Sequence, residues 1–204
     1  MESKLIQAII GIEWEMFSST HNIGGPASCQ QDYNTFQIMR ESQFATCPEA
    51  VLQSYLSDLT QARQDKVNLV AVKYARMMEH TDPAGYRQIK HQLPDLSGEV
   101  MELVNDIVRV FMDWNHELNE LYPVLIAHGR PLSAQADYLG FTSVETYLKG
   151  ELSTYSAPTL KLFQAFVVEQ KNQGVNLAEE ILLHTAKRYG FQTLEEAECQ
   201  LAAK

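Results

Sequence analysis

The sequence predicts an all-α protein, a single domain of about eight to ten helices over residues 1–204. Three observations carry this expectation. Apolar residues recur at helical spacing along most of the chain. Capping residues and Gly or Pro stops bound these segments at intervals that suit helices. No segment alternates as a half-buried strand would, and no Asn-Gly hairpin turn occurs.

The first helix is expected over about residues 3–18, where Leu5, Ile9, Ile12 and Met16 stand at i, i+4, i+7 and i+11, and it stops at Ser18-Ser19-Thr20. Asn22 to Cys29 contains Gly24-Gly25-Pro26 and reads as a loop. A helix resumes near Asp32 and runs to Phe44. Cys47-Pro48-Glu49 places Pro and an acid where a helix begins, and that helix carries Val51, Leu52, Tyr55, Leu56 and Leu59. Another takes in Leu69 to Met78 and is broken at Asp82-Pro83-Ala84-Gly85, with a short helix from Tyr86 before Pro94. The longest pattern follows Ser97, with Val100, Leu103, Val104, Ile107, Phe111 and Leu118, and ends at about Tyr122-Pro123. After the irregular His128-Gly129-Arg130-Pro131, capping boxes at Thr142–Glu145 and Thr193–Glu196 open two further helices. Between them one helix starts at Ser156-Ala157-Pro158 and closes at Gln173-Gly174; Asn176 caps the next, which ends at Tyr189-Gly190.

Composition narrows the function classes. An apolar share of 45% and a charged share of 21% suit a chain that buries a core. Sixteen basic against twenty-six acidic residues give a formal charge of −10, and the basic residues are scattered singly. Such a chain repels phosphate backbones, so nucleic acid is not an expected partner. No apolar run approaches the roughly 18 residues of a membrane span. Met1-Glu2-Ser3-Lys4 leads directly into an amphipathic segment, without the basic and apolar regions of a signal peptide. Cys29, Cys47 and Cys199 are odd in number, far apart and form no CxxC pair, which speaks against a disulfide framework or a thiolate zinc site. The cytoplasm is the expected compartment.

The candidates for chemistry are polar residues on stripes that should face the core. Glu13 lies seven residues after Ile6 and four before Phe17, on the same helix face. A carboxylate there must be paired or hydrogen-bonded, or else its pKa rises, and a raised-pKa Glu is what acid–base catalysis at neutral pH uses. Asn115 falls four after Phe111 and three before Leu118. Tyr147, Glu151 and Tyr155 follow at i, i+4 and i+8, suited either to a proton-transfer network or to a structural ladder of hydrogen bonds. Glu13, Tyr147 and Glu151 are the catalytic candidates. Asn22, Cys29, Arg40, Asn115, His128, Arg130 and Tyr155 are the substrate-binding candidates; Arg130 in particular could take a carboxylate bidentately. Cys29 with His21 or His128 is a weaker nucleophile–base pairing. Asp113/His116 and Glu180/His184 share helix faces, but no Glu-x-x-His motif occurs, so neither metal nor cofactor is expected.

Several strings stand out together: Ile12-Glu13-Trp14-Glu15-Met16-Phe17, Asn22-Ile23-Gly24-Gly25, Ala27-Ser28-Cys29-Gln30 with Asp32, Phe36-Gln37-Ile38-Met39-Arg40, Ser42-Gln43-Phe44, Thr142-Ser143, and Glu145 through Leu152. Taken together they resemble a bacterial family known as domain of unknown function 4125. The resemblance spans nearly the whole chain and implies a stand-alone bacterial protein, and it brings no activity and no catalytic residues to transfer. Two functions are therefore weighed, the first favoured and the second its alternative. One is a small-molecule enzyme with acid–base residues in an inter-helix pocket, which requires Glu13, Tyr147 and Glu151 to line one cavity. The other is a non-catalytic ligand-binding or regulatory interaction module, which requires an exposed apolar groove and no shared polar cavity.

Overall fold

Helix α1, Glu2–Ser18, buries Ile9, Ile10, Ile12, Glu13, Met16 and Phe17 along one face. This computed structural model describes residues 2–21 and 28–203, and the elements named below belong to them. Around α1 pack α2 (Tyr33–Phe44), α3 (Glu49–Gln64) and α4 (Leu69–Thr81). Asp32 and Asn68 cap α2 and α4 by accepting from the amides of Thr35 and Ala71. α5 (Pro83–Ile89) packs on α4 and has no buried residue.

The second half is organised by α6, Gly98–Leu121. Its buried residues, among them Leu103, Ile107, Phe111, Trp114 and Leu118, form a continuous stripe. Against it lie α8 (Val144–Leu152), α9 (Ala157–Asn172) and α10 (Leu177–Arg188). α9 also touches α3, α10 touches α2, and α8 touches α4, so the two halves share one core. α11 (Leu194–Ala202) packs on α7 (Pro123–Ala127) and on α10.

The described residues form eleven α-helices and no strand; one isolated bridge, Tyr138 to Phe141, closes a turn in which Gly140 takes φ 83°. The element beyond the expected count is α7. Pro123 ends the long helix as expected, but its fixed φ and missing N–H also suit the first turn of a new one. Similarly, α5 begins at Pro83, not near Tyr86. The expected capping box at Thr142–Glu145 takes another form. Ser143 is the cap and accepts from the Thr146 amide, while Glu145 bonds the Ala134 amide and Lys149. At the last helix Thr193 caps the Glu196 amide, and the Glu196 carboxylate accepts from Gln192. No helix among the described residues is long and apolar enough to cross a membrane.

Candidate functional site

Four buried charges meet where α1, α2, α4 and α8 converge. Glu13 is 3% exposed, Arg40 5%, Lys73 8% and Glu151 2%. Arg40 takes both oxygens of Glu13, with Nε to Oε2 at 2.7 Å and Nη2 to Oε1 at 2.6 Å. Its Nη1 donates to Glu151 at 3.1 Å and to Gln43 Oε1 at 2.6 Å. Lys73 Nζ donates to Glu151 Oε2 at 2.5 Å, and Gln43 Nε2 to Oε1 at 2.7 Å. Tyr55, from α3, donates its hydroxyl to Glu13 at 2.8 Å, and Tyr155 donates to Glu151 at 3.4 Å.

Two carboxylates face two cations, so the cluster is neutral. Bidentate Arg–carboxylate pairing is among the stronger hydrogen-bonded geometries, and here it offsets the large cost of removing four charges from water. Among the described residues, the buried side-chain polar atoms without a hydrogen bond, Ser42 Oγ and Arg76 Nε, lie outside the cluster.

The same electrostatics fix the charge states. Burial opposes the charge of Glu151, but Arg40 and Lys73 overcome it and hold its carboxyl well below the usual glutamate range. Burial likewise opposes the cations, yet Glu13 and Glu151 keep Arg40 well above its ordinary value, and Glu151 raises Lys73 above its own. Burial, with Glu13 beside Tyr55 and Glu151 beside Tyr155, pushes both phenols well above 10. Burial also pushes the Cys47 thiol up to about 12. Glu151 is thus held as an anion.

The gap among Gln43, Cys47, Tyr55, Tyr155 and Phe163 measures about 10 Å³, at the lower limit for one water. The outer edge of the cluster is Tyr147, whose ring centroid lies 3.7 Å from Lys73 Nζ and 4.8 Å from the guanidinium carbon of Arg130. Arg130 in turn lines a half-open cleft of about 340 Å³, together with Asn119, Ile126, Ala127, Gly129, Pro131, Leu132 and Phe141. Beside it the exposed turn carries Tyr138, 60% exposed and stacked on Phe141, and Leu139, 76% exposed.

The structure therefore brings together Glu13, Arg40, Glu151 and Tyr155, with Tyr147 linking them to Arg130. Asn115 stands apart, half-buried, and donates to the Phe111 carbonyl of its own helix at 2.7 Å, because Trp114 takes the core position. His128 is exposed and bonds the Val124 carbonyl. Cys29 is exposed, and His21 and His128 bond backbone carbonyls, those of Ser19 and Val124. Asn22, with the rest of 22–27, lies outside the described residues. Asp113 pairs with Lys171 at 3.0 Å, and no group of three metal-ligating side chains occurs among the described residues. Lys73, Gln43 and Tyr55 are the cluster members that periodicity did not single out.

The model of the family described as protein of unknown function (DUF4125) matches residues 3–199, and the chain belongs to that family. No curated protein and no solved structure matches it.

Proposed function

We propose that this member of the family is a non-catalytic, small-molecule-binding helical module, with its ligand in the cleft at Arg130. One observation carries the reading. Glu13 and Glu151 are held by Arg40 and Lys73 in a neutral cluster whose adjoining gap is about 10 Å³, whereas an opening of ligand size lies one side chain away and is mostly apolar. The cleft volume falls within the range of small-molecule sites, and the exposed apolar turn at Tyr138 to Phe141 offers a wall to close over a ligand.

A small-molecule enzyme using Glu13, Tyr147 and Glu151 is the second reading. The convergence of polar side chains from five helices favours it, since ion clusters in a core are weak stabilisers and need another reason to exist. It requires the cluster to open to substrate, and it requires a group that can exchange a proton near neutral pH.

Native mass spectrometry of the protein after exposure to a metabolite extract separates the two. The module reading expects a retained mass that Phe141→Ala weakens and no consumption of any extract component. Turnover abolished by Glu13→Gln in a folded protein would establish the enzyme reading instead.

A further inference from the structure

The charge balance of the buried cluster ends at Tyr147. Lys73, on one contact of the ring, is matched by Glu151; Arg130, on the other, forms no ion pair among the described residues. Its recorded hydrogen bond runs from Nη1 to the Thr142 carbonyl at 2.9 Å. A guanidinium carries five N–H donors in a planar fork, and the remaining donors of Arg130 have no protein partner among the described residues.

The rest of the lining sets the shape of the complement. Ile126, Pro131, Leu132 and Phe141 are apolar, and Arg130 is the one cation in the lining. At about 30 Å³ for each water-sized group, the volume of about 340 Å³ holds on the order of ten such groups. One cation suits one negative charge; a phosphate dianion would leave a charge unmatched in an acidic protein.

We infer that the cleft binds a compact apolar monocarboxylate, an aryl or branched aliphatic acid. Its carboxylate takes the Arg130 fork bidentately, and its body lies against Leu132 and Phe141. Tyr147 is a positioning residue that holds the guanidinium by ring contact. This inference rests on the ligand-binding reading and narrows it to one ligand class.

Isothermal titration with phenylacetate, 4-methylpentanoate, phenylacetamide and inorganic phosphate tests it, using wild type, Arg130→Gln, Arg130→Lys and Phe141→Ala. Arg130 is exposed, so its variants are expected to fold. The expected result is saturable binding of the two acids, weakened at least tenfold in Arg130→Gln and partly kept in Arg130→Lys. The amide and phosphate should bind at least tenfold more weakly than the acids. Equal binding of acid and amide, or of acid to wild type and Arg130→Gln, would overturn the inference. So would tighter binding of a phenylalanine-terminated tetrapeptide than of phenylacetate, which would make the partner a peptide C-terminus. If none of these probes binds but wild type retains an extract mass that Phe141→Ala loses, the ligand class is wrong and the binding reading stands. If neither occurs, both fail.

Discussion

Replacing Glu151 by Gln removes one of the two negative charges that balance Arg40 and Lys73 while nearly keeping side-chain volume. The amide can still accept from Gln43 or Arg40, but its NH₂ meets the Lys73 ammonium that Oε2 now receives at 2.5 Å. Two buried cations then face Glu13 alone. Removing one partner of a buried pair costs about 3–5 kcal/mol because a charge is left uncompensated. With a urea slope of about 2 kcal/mol/M, the unfolding midpoint at pH 7 should fall by about 1.5–2.5 M. The double variant Lys73→Met/Glu151→Leu removes a cation with the anion and leaves Arg40 on Glu13, so it should recover at least about 2 kcal/mol relative to Glu151→Gln. Urea unfolding followed by circular dichroism measures both. A loss under about 1 kcal/mol in Glu151→Gln, or no recovery in the double variant, would refute the description of this cluster as a charge-balanced lock.

Acid should act through the same residue. Because folding lowers the Glu151 pKa, its stabilisation is complete above the ordinary glutamate value of 4.5 and is lost as pH falls below it; Glu151→Gln should flatten the loss of stability in urea melts between pH 4.5 and 2.5. Cys29 and Cys199 are exposed, whereas Cys47 is half-buried with its thiol pushed up to about 12, so dithionitrobenzoate should titrate two thiols rapidly and the third much more slowly until the protein unfolds. Gly150 permits the close approach of α8 to α4. A Cβ there would lie 2.9 Å from Met77 Cγ and 3.1 Å from the Lys73 carbonyl oxygen, so Gly150→Ala should cost about 1–3 kcal/mol in the same unfolding assay.

The helices were legible because caps, prolines and the 3.6-residue period are local signals. Ser156 with Pro158 and Asn176 mark helix starts that the structure keeps. Glu13 and Glu151 were legible for the opposite reason, since each breaks an apolar stripe and so demands a partner. The partners were not. Arg40 meets Glu13 across 27 residues and Glu151 across 111, distances over which periodicity carries no information. Tyr55 was hidden because a tyrosine on a buried stripe reads as ordinary core until its hydroxyl is seen at 2.8 Å from Glu13. Lys73 gave no signal, because a single lysine among mixed neighbours looks like a solvated residue. Asn115 was misplaced by one step of the stripe: Phe111, Trp114 and Leu118 form the buried row, and the amide falls at its edge. Tyr155 lies beyond the end of α8 at Leu152, yet the turn that follows returns its hydroxyl to Glu151.

On the proposed reading the buried cluster holds the fold and the cleft at Arg130 holds the ligand. The most direct test compares ligand retention in two folded variants, Arg130→Gln and Lys73→Met/Glu151→Leu, by native mass spectrometry after exposure to the same extract. The retained mass is expected to disappear in Arg130→Gln and to persist in the cluster variant. Loss of the ligand from the cluster variant, with retention in Arg130→Gln, would contradict that reading.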